Sequence, residues 1–179
     1  MTMQMMDSCA RYGSVSRLLH WGMAAILAWQ FIGMALLKAL GEVPVALFFV
    51  GSHSSLGLTL ATLALLRLIW WGTNAKNRPS EEATLNGRLA KLGQLGLYAL
   101  LVVVPLLALL RAYGSGKAFA WFGLPLWSEG GEKITWMVAT ADAAHGVLAW
   151  TLLALIVGHT GMALWHRLVK RDQVWSRMV

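Results

Sequence analysis

Four long runs of uncharged, apolar residues constrain this chain more than any other feature. They predict helices over about residues 15–38, 43–71, 89–112 and 138–167. Each run is near or above the roughly 20 residues that a helix needs to cross a bilayer, and none shows the period-two alternation of a β-barrel strand. We therefore expect an all-α membrane protein, in which residues 1–179 form a single four-helix bundle.

The composition agrees with a membrane protein. Hydrophobic residues make up 58% of the chain and charged residues 13%, whereas charged residues are about 25% of an average soluble domain. The first apolar run is longer than the roughly 7–15 apolar residues of a signal peptide. No clear small-x-small cleavage site follows it, so we expect it to remain as the first helix.

The basic residues indicate an orientation in the membrane. The net charge is +7, but the basic residues flank the apolar runs and form no patch interleaved with aromatics, which argues against nucleic-acid binding. On one side of the predicted bundle lie Arg11, Arg17, Arg67, Lys76, Arg78, Arg88, Lys91, Arg167, Lys170, Arg171 and Arg177. On the other lie only Lys38, Arg111, Lys117 and Lys133. The positive-inside rule then places both termini in the cytoplasm of a bacterial inner-membrane protein.

The predicted connections differ in character. Residues 38–42 form a tight outer turn, and residues 72–91 form a polar cytoplasmic loop that contains the acidic pair Glu81 and Glu82. Residues 111–142 form a longer outer segment whose tryptophans suit a membrane interface. Pro105 lies inside the third run, where it predicts a kinked helix.

Four histidines lie within the predicted spans. His20 is near the cytoplasmic start of the first, and His53 is in the outer part of the second. His145 and His159 are near the outer and cytoplasmic ends of the fourth. The depths therefore pair His20 with His159, and His53 with His145.

The spacing in the fourth span supports this pairing. Fourteen residues turn a helix through about 1400°, about 40° short of four full turns, and advance it by about 21 Å. His145 and His159 therefore point from nearly the same face of one helix. We expect two stacked sites inside the bundle, each with two imidazoles.

Haem b is the group that fits such sites. Its porphyrin supplies four nitrogens, so two axial histidines complete the iron's coordination. Zinc would need further ligands, which the spans lack, and the single Cys9 excludes an internal disulfide. No C-x-x-C-H motif is present for covalent haem attachment. For any one histidine, the alternative is a hydrogen bond that joins two helices. For the whole protein, the alternative is a haem-free chain whose histidines bind metal ions or move protons.

Small residues beside the histidines would leave room for a macrocycle. They are Gly22, Gly51, Gly57, Gly146, Gly158 and Gly161. Close packing between helices, which is common in membranes, explains them equally well.

Five stretches carry a resemblance to a known family. They are SRLLHW (16–21), GSHSSLGLTLATLALLRLIW (51–70), LAKLGQLGLYALLVVVPLLAL (89–109), SGKAFAWFGLP (115–125) and AHGVLAWTLLALIVGHTGMALWHRLVKRDQVWSRM (144–178). Together they cover about residues 11–178. In this order they resemble the bacterial cytochrome b561 family of small, four-helix, di-haem membrane proteins.

The resemblance implies a function. It maps the family's haem ligands onto His20, His53, His145 and His159, and it implies electron exchange with ubiquinone. One member of the family oxidises superoxide at the outer face and reduces quinone. Related cytochromes anchor a hydrogenase or a formate dehydrogenase, so an electron-wire subunit for such a partner protein is the alternative. Those subunits usually have extra segments.

This chain departs from the family's pattern in the third span. Gln94 stands where we expect a histidine, and Lys91 stands where some members have another. If those positions assist quinone or proton handling, that role is in doubt here.

Other residues are candidates for contacts with the cofactors or the substrate. Arg17, Arg67 and His166 are candidate partners for haem propionates, and His166 could also contact a quinone. Interfacial positions explain all three as well. A further set could draw an anion such as superoxide to the outer face, unless neighbouring carboxylates neutralise it: Arg111, Lys117 and Lys133.

Overall fold

The computed structural model describes residues 4–79 and 84–179, which leaves the acidic pair Glu81 and Glu82 outside the described residues. In this part of the chain there are five α-helices and one β-hairpin. The helices are α1 (Ser14–Leu40), α2 (Pro44–Val50), α3 (His53–Asn74), α4 (Leu85–Gly114) and α5 (Thr135–Trp165). Four helical segments of the described chain are long and apolar enough to cross a membrane, as the sequence predicts, with α2 and α3 forming one of them.

The second predicted span is not one continuous helix, which corrects the expectation for residues 43–71. It is divided at Gly51 and Ser52 into α2 and α3. The Ser52 hydroxyl donates a 3.0 Å hydrogen bond to the Phe49 carbonyl and accepts one of 2.9 Å from the Trp29 indole of α1. Local side-chain hydrogen bonds of this kind compete with the helical pattern. As a result, His53 is the first residue of α3.

The outer segment contains β-structure, so the expectation of an all-α protein is wrong in this detail. Strand β1 (Phe119–Trp121) pairs antiparallel with β2 (Leu124–Trp127). The two loop residues have positive φ, 46° at Phe122 and 88° at Gly123, as two-residue hairpin turns require. The Trp121 indole donates to the Thr59 hydroxyl over 3.0 Å, and the Phe122 amide donates to the Ser55 hydroxyl over 3.1 Å. The hairpin is thereby fixed to α3.

The helices pack in a ring with one looser side. Helix α1 packs on α2 and α3, α3 packs on α4, and α4 packs most extensively on α5. The buried core joins them at mid-depth through Met23, Leu60, Ala64, Leu101 and Leu152. Helix α4 continues through Pro105. In the described chain, the backbone of α5 comes close to that of α1 or α3 at few positions. The side of the ring between α5 and these two helices therefore has room.

The N-terminal segment is tied to the C-terminal end of α3. The buried Asp7 carboxylate accepts 2.8 Å hydrogen bonds from the Arg78 guanidinium and from the Gly13 amide. The Asp7 amide donates to the fully buried Asn74 side chain over 3.3 Å. A Cβ on Gly13 would lie 2.2 Å from the Met5 carbonyl oxygen, so only glycine allows this approach.

Candidate functional site

The histidines at the end of the bundle that the sequence predicts to be cytoplasmic, here called the inner end, meet across the looser side of the bundle. His20 lies in the second turn of α1 and His159 in the last two turns of α5. Their ring centres are 6.2 Å apart, and the ring planes cross at 69°. His20 is half-buried and His159 is exposed. The structure thus brings together the two residues that their depths pair.

The histidines at the outer end meet in the same way. His53 opens α3, and His145 lies in the third turn of α5. Their ring centres are also 6.2 Å apart, with the planes at 74°. Both rings are half-buried. His145 and His159 lie on one unbroken helix, so α5 contributes one imidazole to each pair.

The separation within each pair suits one iron atom between two rings. A metal–imidazole bond is about 2.0 Å and a ring centre lies about 1.1 Å beyond its nitrogen, so the centres of two opposed ligands are about 6.2 Å apart. Both pairs show this distance. Among the described residues, the two imidazoles of a pair form no hydrogen bond with each other. The spacing of the rings in both pairs therefore fits two imidazoles on one haem iron.

A hydrogen bond fixes the tautomer of His145. Its Nδ1 lies 3.0 Å from the Val104 carbonyl oxygen of α4. A carbonyl can only accept, so Nδ1 carries the proton and Nε2 keeps its lone pair. Ligating histidines typically donate their other ring N–H to a carbonyl or carboxylate, which fixes the ring's orientation. His145 is therefore oriented to bind a metal through Nε2.

Arg67 comes to the inner pair, although it is 47 positions away from His20 in the chain. Its Nη1 lies 3.2 Å from the His20 Nδ1, and its guanidinium stacks 5.3 Å from the centre of the Tyr98 ring. An arginine only donates, so in this arrangement the His20 Nδ1 accepts. The predicted role of Arg67 beside the inner haem is compatible with this position.

The other two predicted partners form their hydrogen bonds with residues outside the pairs. Arg17 donates a 2.9 Å hydrogen bond to the Val179 carbonyl. His166 lies in a π-helical turn, His166–Lys170, and its Nδ1 is 2.6 Å from the Asp172 carboxylate. This hydrogen bond from His166 lowers the pKa of Asp172. Among the described residues, neither Arg17 nor His166 forms a hydrogen bond or an ion pair with a paired histidine.

Most of the glycines beside the histidines border open space. A Cβ added at Gly22, Gly146, Gly158 or Gly161 would meet nothing within 4 Å. Close helix packing, the alternative explanation, therefore does not account for these four. Gly51 and Gly57 differ, because a Cβ there would contact the Leu47 carbonyl at 3.2 Å and the Gln30 amide at 3.7 Å.

A cavity opens beside the outer pair. Its volume is about 280 Å³, and His53, His145 and Gly146 line it. Arg111 and Asp142 also border it, as an ion pair with a 2.5 Å contact and with about half of each side chain exposed. Much of the attraction of Arg111 for an anion is therefore offset by its own carboxylate partner.

Comparison with known proteins identifies the family. Residues 11–179 match the family described as prokaryotic cytochrome b561. The chain belongs to the prokaryotic cytochrome b561 family. It is also 30% identical over 182 residues to the protein named cytochrome b561 homolog 2 of Escherichia coli strain K12, covering 94% of this chain and 91% of the relative. The resemblance that the sequence motifs carry is confirmed.

Family membership sets the chemistry in outline. Cytochromes b561 typically bind haem b, and a membrane cytochrome of this family implies electron transfer. The multi-pass helices and the prokaryotic family indicate a bacterial membrane protein in contact with lipid.

Sequence reasoning missed two residues near the outer pair. Trp29 bonds to Ser52 at the break before α3, and the Gln30 side chain donates a 2.9 Å hydrogen bond to the His53 carbonyl. Gln30 lies in the middle of α1, and a polar residue at that depth in a membrane helix is itself a functional signal.

Proposed function

We propose that this cytochrome b561 holds two haem b groups and carries electrons across the membrane. His20 and His159 would bind the inner haem, and His53 and His145 the outer one. Electrons would enter from superoxide at the outer face and reduce ubiquinone. The balanced reaction is 2 superoxide + ubiquinone + 2 H⁺ → 2 O₂ + ubiquinol.

One observation carries this proposal. Two separate histidine pairs, each with ring centres 6.2 Å apart, lie near opposite ends of the same bundle. Their α5 members are fourteen residues apart, which is about 21 Å along the axis. A single site would serve chemistry on one face, whereas two sites at opposite ends suit transfer between the faces.

The chain's own residues prepare each site. When bound, haem b supplies reversible one-electron chemistry whose potential depends on axial ligands and burial. The Val104 carbonyl holds the His145 ring in the tautomer with a free Nε2. The rings of His20, His53 and His145 are half-buried among apolar helices, which limits the access of water to their ligand nitrogens. On the outer side, Lys117 and Lys133 add positive charge that favours the approach of an anion.

Stopped-flow spectroscopy of the purified protein tests the superoxide step. Superoxide from xanthine oxidase should reduce the haems, seen as a rising α-band, and superoxide dismutase should abolish the signal. Adding a soluble ubiquinone should then reoxidise the haems with formation of quinol. The His145→Ala variant, which lacks an outer ligand, should show slow reduction or none.

Two results would contradict the proposal. A flat reduced-minus-oxidised spectrum in well-folded protein would exclude haem binding altogether. Haems that superoxide fails to reduce, in a protein that copurifies with a stable dehydrogenase, would indicate an electron-wire subunit instead.

A further inference from the structure

We propose that Gln30 is a positioning residue for the outer haem ligand His53. Its side-chain oxygen would accept a hydrogen bond from the His53 Nδ1–H while Nε2 faces the iron. This inference rests on the proposed haem ligation, and it concerns how one ligand is held and tuned.

Gln30 already contacts His53. Its Nε2 donates a 2.9 Å hydrogen bond to the His53 backbone carbonyl, and the pair is partly buried. Gln30 lies near the middle of the 27-residue helix α1. A carboxamide in the hydrocarbon region is costly unless its polar atoms are paired, so a glutamine at this depth needs a partner for both ends of its amide.

Each of the two residues has one buried polar atom without a partner. Among the described residues, the Gln30 Oε1 and the His53 Nδ1 are both shielded from solvent and lack a hydrogen bond. The Gln30 Oε1 is an acceptor. The His53 Nδ1 is a donor whenever the His53 Nε2 binds a metal. These two complementary atoms lie on residues that are already in contact, and a hydrogen bond between them would satisfy both.

His145, the other proposed ligand of the outer haem, has an acceptor for its Nδ1–H that His53 lacks. The His145 Nδ1 has the Val104 carbonyl at 3.0 Å, whereas the His53 Nδ1 has no such acceptor in the described chain. A carboxamide can donate and accept at once. Gln30 can therefore keep its bond to the His53 carbonyl and supply the missing acceptor.

The break before α3 holds the contact in place. His53 is the first residue of α3, and the neighbouring Ser52 is bonded to Trp29 over 2.9 Å. Trp29 and Gln30, which are consecutive in α1, thus bond to Ser52 and His53, which are consecutive at the start of α3. This arrangement fixes the backbone of His53, to which its ring is attached.

Redox titration of the purified holoprotein tests the role of the Gln30 oxygen. An acceptor on Nδ1–H raises the basicity of the ligand and favours ferric iron. Gln30→Leu should therefore raise the midpoint potential of the outer haem and leave the inner one unchanged. The outer haem is assigned as the one that His145→Ala removes.

Two further variants separate positioning from a merely structural role. Gln30→Glu keeps an acceptor oxygen in either protonation state, so its outer potential should stay at or below that of the wild type. Thr62→Val removes an exposed hydroxyl that bonds only within α3, so both potentials should stay unchanged.

Three outcomes would overturn the inference. In the first, Gln30→Leu leaves the outer potential unchanged. In the second, it shifts both potentials equally. In the third, Gln30→Glu raises the outer potential as much as Gln30→Leu does, which would show that the side-chain oxygen is irrelevant. Wild-type protein without two haems would instead refute the proposed function, which keeps the two failures distinct.

Discussion

The four paired histidines differ in what their Nδ1 atoms contact. The His145 atom donates to a backbone carbonyl, whereas the His20 atom faces the Arg67 guanidinium at 3.2 Å. A histidine that binds iron through Nε2 carries its proton on Nδ1, so Arg67 would have to turn away from that atom for His20 to bind the proposed inner haem in this way. An anionic propionate is a suitable new partner for it.

Replacement of Arg67 should change the inner haem selectively. A nearby cation disfavours ferric iron, so Arg67→Leu should lower the midpoint potential of the inner haem. The expected shift is on the order of 50 mV, which corresponds to about 1 kcal/mol for one electron. Redox titration measures it, with Arg67→Lys as the charge-preserving control. An unchanged inner potential in Arg67→Leu would show that the guanidinium stays remote from the haem.

Residue identity and helical spacing predict the site better than they predict its surroundings. Depth and the fourteen-residue interval are local properties, so His145 and His159 can be placed from the sequence. The contacts of Arg67 with His20 and of Gln30 with His53 join different helices. They depend on helix rotation and neighbour order, which a hydropathy pattern does not contain.

At the scale of elements, the sequence pattern does not predict two features of the fold. They are the break between α2 and α3 and the hairpin in the segment before α5. Residues 43–71 are apolar throughout, so their hydropathy predicts one helix, and the hydrogen bonds of Ser52 decide otherwise. The hairpin turn contains Phe122 at φ 46°, where turn sequences favour asparagine or aspartate. Its contacts with Ser55 and Thr59 of α3 supply the support that its sequence lacks.

The ion pair that fastens the N-terminal segment should matter for stability. Asp7→Ala leaves the Arg78 guanidinium, 13% exposed, without its carboxylate. Breaking a buried pair costs about 3 kcal/mol, so the melting temperature in detergent should fall by roughly 5–10 °C. The matched control is Asp142→Ala, whose pair with Arg111 is about half exposed, and its effect should be about 0–1 kcal/mol. Equal effects of the two changes would contradict this ranking.

At the scale of the whole molecule, the two ends of the chain meet at the inner end of the bundle. The Tyr12 amide donates to the Arg177 carbonyl over 3.1 Å, and the Trp21 indole donates to the Met178 carbonyl over the same distance. Most of the Lys and Arg residues belong to this end. We infer from the positive-inside rule that this end is cytoplasmic.

Labelling of the chain's own cysteine, Cys9, tests this orientation without the introduction of a new reactive residue. Cys9 is exposed and lies in the N-terminal segment. A membrane-impermeant maleimide should label it in inverted membrane vesicles and leave it unlabelled in intact spheroplasts, with Cys9→Ser as the blank. Labelling in spheroplasts alone would reverse the assignment of the faces.

The haem content of single-histidine variants tests the central claim most directly. A pyridine haemochrome assay should find two haems per wild-type chain. His20→Ala and His159→Ala should each lose the inner haem, and His53→Ala and His145→Ala the outer one, which redox titration distinguishes by potential. If His20→Ala and His145→Ala removed the same haem, or if the wild type held a single haem, the paired arrangement would be wrong.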